Sequence, residues 1–549
     1  MAREPKTPVE QYEARRSWIV RITVLAVILL AGGFIYWRYI AQRPVDYASD
    51  LEHFKYGSIG SDSDSGIPYW VWRVLPQAFP GHLPDAAGFK ALPPAEQKGL
   101  AGYRQFGFLV EEGSDRPIGF SKRRVTLDRV GLNCAVCHAS TIRVSGGMDP
   151  GKIYPAAQSR YLDENRTRVL VFGMPANTVD LQAYFQFLFN CAADPYFTVD
   201  NLISRIAAQT RLGPVERFLY RQAIPAVREQ LLMRRGQLDF LNRTPPFGPG
   251  RVDTFNPYKT TIFGLPYDNT VGTADFPSIW NQRPRVGMHL HWDGDNQSVF
   301  ERNISASIGA GATPRSLDMD RMLRVAYWIG SPDPRASLST EEQAKAIAAA
   351  RAQPAPRSDE LPVPKYPFSI DSQLADAGKA VYQRECSVCH DWQGKYVGEV
   401  VPIEKIGTDS HRLDSFTPEF VKLQNTLGTG MWWRFHNFRK TGGYSNMPLD
   451  GLWARAPYLH NGSVPTLKDL LAKPQDRPKR FYRGDDEYDP VNVGFRSDRA
   501  AAGDGRPLFE FLVERDGTPV RGNGNGGHTY GTDLPDADRN AILEYLKTL

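Results

Sequence analysis

Two pentapeptides of one pattern, Cys134-Ala-Val-Cys137-His138 and Cys386-Ser-Val-Cys389-His390, constrain this chain more than any other feature, and four of its five cysteines fall in them. Two residues between the thiols let both sulfurs reach neighbouring vinyl groups of one porphyrin from a single turn of chain. The histidine that follows then lies beneath the ring with its imidazole aimed at iron. Each pattern therefore reads as an attachment site for a covalent haem c, with His138 and His390 as axial ligands. A zinc site built from two CxxC pairs and a thioredoxin-like redox pair are the competing readings. Neither calls for a histidine directly after the second cysteine in both copies.

A chain of 549 residues is too long for one ordinary core, so two or more domains are expected. Hydrophobic residues at 41% and charged residues at 23% are the composition of a globular protein. The net charge of +5 is the small difference between 66 basic and 61 acidic residues, which leaves no case for a nucleic-acid partner. Cys191 is left over in an apolar run and reads as a small buried residue.

Residues 18–40 form an apolar run long enough to cross a bilayer, with Trp18, Tyr36, Trp37 and Tyr39 where interfacial aromatics sit. Arg3, Lys6, Arg15 and Arg16 precede it, while Arg38 and Arg43 follow. The balance predicts residues 1–17 as a cytoplasmic tail, residues 18–40 as an uncleaved anchor and the body outside; a cleaved signal peptide is the competing reading. Covalent haem is attached on the outer side of the bacterial plasma membrane. Anchor and motifs thus agree on the inner membrane, with the body in the periplasm beside a periplasmic or membrane electron donor or acceptor.

Residues 45–130 read as loops and short helices, residues 168–172 as a strand, and residues 178–241 as mostly helical. A helix over 318–329 and an alanine-rich segment over 340–351 close an N-terminal haem domain, 45–352. A proline-rich linker follows at 353–367, then a C-terminal cytochrome c domain at 368–549. That domain opens with a helix over 374–382 whose glycine permits close packing, and residues 536–549 form an amphipathic helix that can supply the partner. The fold class expected is mostly α: two cytochrome c-like haem domains with long loops, behind one N-terminal transmembrane helix.

An internal echo joins the halves: His291-Trp-Asp-Gly294 follows the first motif and His460-Asn-Gly462 the second, each after a proline-containing segment. With these elements and the run from Met447 to Thr466, which contains Ala-Pro-Tyr-Leu-His-Asn-Gly, the chain resembles the bacterial dihaem cytochrome c peroxidase superfamily. Within it the likeness is to the branch of the dihaem rubber oxygenases. The resemblance implies that Trp292 lies between the haems as an electron relay and that His460 lies close to the C-terminal haem. It also implies that His528, flanked by glycines in Gly526-Gly-His-Thr-Tyr-Gly531, is the sixth ligand opposite His390. Met447 and His460 are the rival sixth ligands, and a calcium ion is carried as a further possible cofactor.

Two departures separate this chain from the peroxidases. Their distal glutamate has no counterpart between Arg302 and Ser316, and Glu301 falls too early. Their switchable histidine after the first motif is missing, since no histidine stands between His138 and His289. Met174, His289 and His291 are conceivable distal groups at the first haem. A pocket lined by Ile304, Ala306, Ile308 and Ala310, if that segment faces the haem, is poor in acid/base groups. Trp280, Trp432 and Trp433 read as core or interface aromatics. Three functions stay open: an oxidoreductase in which haem 1 meets dioxygen or peroxide and haem 2 transfers electrons, a non-enzymatic electron carrier, and a dihaem peroxidase.

Overall fold

Thr7 caps a long helix, Pro8–Ile35, through a reciprocal pair with Glu10, and Pro8 occupies the first turn where its missing N–H costs nothing. The helix therefore begins well ahead of residue 18, inside the expected tail. No residue along it is buried, and it is long and apolar enough to span a membrane, a measure that an N-terminal signal sequence also meets. In this computed structural model the described residues are 7–37, 41, 43–154, 160–331 and 360–549. Residues 1–6, 38–40, the alanine-rich segment 340–351 and the first part of the expected linker, 353–359, lie outside them.

The body is mixed rather than mostly α. Among the described residues 17 strands form seven small sheets, all with antiparallel pairing, beside helices that are mostly short. The 48 glycines and 42 prolines account for this: they end helices early and leave brief extended pieces that pair locally. Residues 168–172 do form a strand, and the helical region resolves into Leu181–Ala193, Val199–Ala207 and Pro214–Gln237.

Two large cores hold the body. One lies wholly in the N-terminal half, around Trp72, Tyr103, Phe120, Tyr184 and Ile224, and it buries Cys191 completely. The other draws on both halves: Phe54 and Trp328 pack in it with Leu361, Phe368, Trp453 and Ile542. Leu361 and Tyr366, in the expected linker, are buried in this shared core. The first cysteine motif sits at the seam, since Ala135 belongs to the shared core and Val136 to the N-terminal one.

Candidate functional site

A hairpin delivers the first motif. Phe120–Arg124 pairs with Asp128–Leu132 in the register Phe120↔Leu132 and hands the chain to Asn133. The Asn133 side chain accepts from Ala135 N–H at 3.0 Å and donates to the Gly57 carbonyl at 2.9 Å, which starts the one-turn helix Ala135–His138. Beyond it Ala139–Arg143 pairs with Arg168–Phe172, and the Gly173 N–H donates to the His138 carbonyl at 2.7 Å. Glycine is required there: φ is +75°, and a Cβ would meet Leu361 at 2.8 Å. The His138 ring meets Phe276 edge-on, centroids 6.4 Å apart. Desolvation, and then the charge of Arg302, draw its pKa down to about 3, so the imidazole is neutral at pH 7, the form that binds metals.

The second motif ends the helix Ser372–Glu385, which Asp371 caps. That helix packs on Asp536–Leu546 at a separation only glycine allows, because a Cβ on Gly378 would lie 1.9 Å from the Ala541 carbonyl oxygen. His390 Nδ1 donates to the Met447 carbonyl at 2.8 Å, which leaves Nε2 free of hydrogen bonds among the described residues. Near it is His528, ring centroids 6.2 Å apart and planes inclined at 38°. A metal–nitrogen bond of about 2 Å, with the ring centre roughly 1 Å behind the nitrogen, puts two imidazoles on opposite sides of one metal about 6 Å apart. The pair fits a bis-histidine iron. Desolvation and then the nearby His390 bring the His528 pKa down to about 4, so it too is neutral. Its loop is held by Arg477, 2% exposed, which donates to the carbonyls of Asn525, Gly527 and His528 at 2.7, 2.8 and 3.1 Å.

Both rival ligands make contacts of their own. Met447 offers its carbonyl to the back of the His390 ring. His460 is buried with its ring stacked on Tyr444, centroids 4.0 Å apart.

One pocket reaches the neighbourhood of both motifs. Its walls include Phe276 and Pro277, which adjoin His138, and Met447, which is tied to His390. Trp292 lines it, with Nε1 donating to the Asp275 carbonyl at 2.9 Å. Of the expected distal histidines, His291 lines this pocket with Nδ1 paired to Asp295, while His289 Nδ1 is spent on the Gly294 carbonyl at 2.9 Å. Met174 is buried in the shared core. The expected wall of Ile304, Ala306, Ile308 and Ala310 does not form: Ile304 and Ile308 point into a third core with Tyr258 and Phe420, and Ala306 is exposed. That helix, Val299–Gly309, turns Arg302 to the pocket instead. Glu301 is fully engaged, accepting from Asn296 at 3.0 Å and from the His436 and Asn437 N–H groups at 3.0 and 3.1 Å.

Sequence reasoning missed Arg285, Arg302 and Arg455 around this pocket, and Arg477 behind His528. Each is brought in from a separate segment, and nothing in local spacing marks it. Among the described residues no group of three or more His, Cys, Asp and Glu side chains is arranged to hold a metal ion, so the calcium expectation gains no ligand set.

Residues 443–482 match the RoxA-like, cytochrome c-like family. A cytochrome c-like domain implies haem c, and the match supports the likeness to the rubber-oxygenase-like branch and points to a haem-dependent oxidoreductase. Among individual proteins the chain is similar to two from Sinorhizobium fredii, both described as uncharacterized. One, y4iJ, is 26% identical over 81% of this chain and 84% of its own length. The other, y4iM, is 30% identical over 50% of this chain and 64% of its own length.

Proposed function

We propose that the chain is a dihaem c-type cytochrome with oxidoreductase activity, anchored in the bacterial inner membrane with its body in the periplasm, serving a periplasmic or membrane redox partner. The observation that carries the reading is the 6.2 Å spacing of His390 and His528, two neutral imidazoles that fit the two sides of one iron. Bound haem supplies one-electron chemistry and, where an axial position is open, a place for dioxygen or peroxide.

The residues divide the work. His390 and His528 would hold the iron of the second haem, attached at Cys386 and Cys389, and would suit it to electron transfer. His138 is the one histidine proposed for the haem at Cys134 and Cys137. The ring against it is Phe276, an apolar neighbour, and with no second histidine proposed for this haem it would have a place for a small molecule. Trp292, in the pocket between the two sites, is the proposed relay, and its hydrogen bond to Asp275 holds the indole in one orientation. Haem content and carbon monoxide binding test this together. The pyridine haemochrome should give two haems per chain, and about half of the reduced haem should bind carbon monoxide. Two haems with no carbon monoxide response favour the electron carrier; no covalent haem ends the reading.

A further inference from the structure

The pocket beside Trp292 is surplus in positive charge. Arg285, Arg302 and Arg455 all line it. Arg285 and Arg455 share one carboxylate, Asp450, at 2.5 and 2.7 Å. Arg302 is 9% exposed and has no carboxylate in hydrogen-bond or ion-pair contact among the described residues. Of the neighbouring acids, Asp275 accepts from Arg483 at 2.7 Å, while Asp295 is bonded to His291 and its charge also acts on Arg302. Desolvation, and then the charge of Arg285, pull the Arg302 pKa down to about 10, and desolvation brings Arg455 to about 10 as well; both guanidiniums remain protonated at neutral pH. Three cations against Asp450, with Asp295 the further carboxylate acting on Arg302, leave positive charge in excess in a largely desolvated space. Buried charge of that kind calls for a partner.

The shape of the site says what the partner is. Guanidinium forks match carboxylates, and the remaining walls include Phe276, Pro277, Trp280 and Trp292, surfaces suited to a flat apolar body. Phe276 touches His138, and the charge of Arg302 is felt at that ring. Building on the dihaem reading, we infer that this pocket takes the two propionates of the haem attached at Cys134 and Cys137. Arg302 pairs with one propionate, and the Arg285–Asp450–Arg455 cluster supplies the second positive charge. A positive charge beside a haem favours its reduced form, so Arg302 also raises that haem's potential.

Two variants of the full, haem-loaded chain test this with opposite signs, read by spectroelectrochemical midpoints of each haem. The haem lost in Cys134→Ala/Cys137→Ala identifies which midpoint belongs to the first motif. Arg302→Gln should keep both covalent haems and lower that midpoint by a tenfold change in the reduction equilibrium, about 59 mV for one electron. Asp450→Asn, which removes the negative charge, should raise the same midpoint by a similar factor. Either variant decides the matter if the other does not accumulate. A midpoint that stays within threefold of wild type, about 28 mV, or a shift confined to the haem of His390, overturns the inference. Wild-type protein without covalent haem is a separate failure, that of the dihaem reading itself.

Discussion

Trp292 and His460 are joined through one residue: the Trp292 indole donates to the Asp275 carbonyl, and the Asp275 N–H donates to the His460 carbonyl, each at 2.9 Å. The two occupy equivalent places in two loops of the same shape. Leu290 bridges to Asn296 and Tyr458 to Val464, the next residue has a positive φ (His291 +62°, Leu459 +65°), and a glycine follows in the same conformation (Gly294 +66°, Gly462 +62°). Below the Trp292 loop Asp293 pairs with Arg412 at 3.0 Å; in the other, Asn461 donates to the Gly522 and Gly524 carbonyls. One loop thus presents an indole to the pocket between the motifs, and its counterpart turns an imidazole onto Tyr444.

Cofactor attachment comes first. Cys134→Ala with Cys137→Ala should remove half of the covalent haem, and Cys386→Ala with Cys389→Ala the other half, each read as haem stain at full chain mass on a denaturing gel and by pyridine haemochrome. Full haem in either double variant contradicts the assignment of one haem to each motif.

Close helix packing sets a stability prediction. Gly378→Val drives a branched side chain into the Ala541 carbonyl, so the helices Ser372–Glu385 and Asp536–Leu546 must separate. Overpacking of this sort costs about 1–3 kcal/mol, with more expected against backbone than against side chain. A lowered denaturant midpoint is the expected outcome, and a wild-type midpoint would show that the helices do not pack at this distance.

His460 gives the fold a pH dependence. Desolvation is the chief cause that brings its pKa to about 3, against about 6.5 for a free histidine. Between those values the unfolded chain binds a proton that the folded chain refuses. The stability due to neutral His460 is therefore complete above about pH 6.5 and falls as the pH drops toward 3, by about 1.4 kcal/mol per pH unit. Denaturant unfolding from pH 7 to pH 4 should show this slope, and His460→Phe, which keeps a ring against Tyr444, should flatten it by one proton's share. Parallel profiles for the two proteins would contradict it.

Peroxide turnover should be slow. Splitting peroxide needs a group that carries a proton between its oxygens, a general acid/base task commonly worth about 10²–10⁴-fold. Glu301 is locked by four donors, and no carboxylate stands between Arg302 and Ser316. His291, paired with Asp295 in the pocket wall, is the one expected distal histidine positioned to take over. Steady-state assays with hydrogen peroxide and a reduced cytochrome donor check this; fast turnover that His291→Ala abolishes would make the protein a peroxidase with a relocated base.

Much of this was legible where chemistry is local. The cysteine motifs, the strand at 168–172 and the apolar helix all follow from residues a few positions apart, and Gly378 marked a close approach whose partner, Ala541, lies far along the chain. The loop echo was visible, but its register was not. A shared histidine sets His291 against His460, whereas positive φ at His291 and Leu459, residues without glycine's freedom, aligns Trp292 with His460. The helix Val299–Gly309 had two candidate faces, and its period could not say that the isoleucines meet Phe420 and that Arg302 meets the pocket. Arg302 and Asp450 become neighbours of one cavity only through tertiary structure.

The spin state of the oxidised protein, read by electron paramagnetic resonance in wild type, His528→Ala and His460→Ala, tests the account most directly. The wild type should hold one low-spin and one high-spin ferric haem. His528→Ala should convert the low-spin centre to high spin while leaving the other unchanged, and His460→Ala should alter neither. Loss of the low-spin signal in His460→Ala but not in His528→Ala would contradict the arrangement at its centre, the His390–His528 pair.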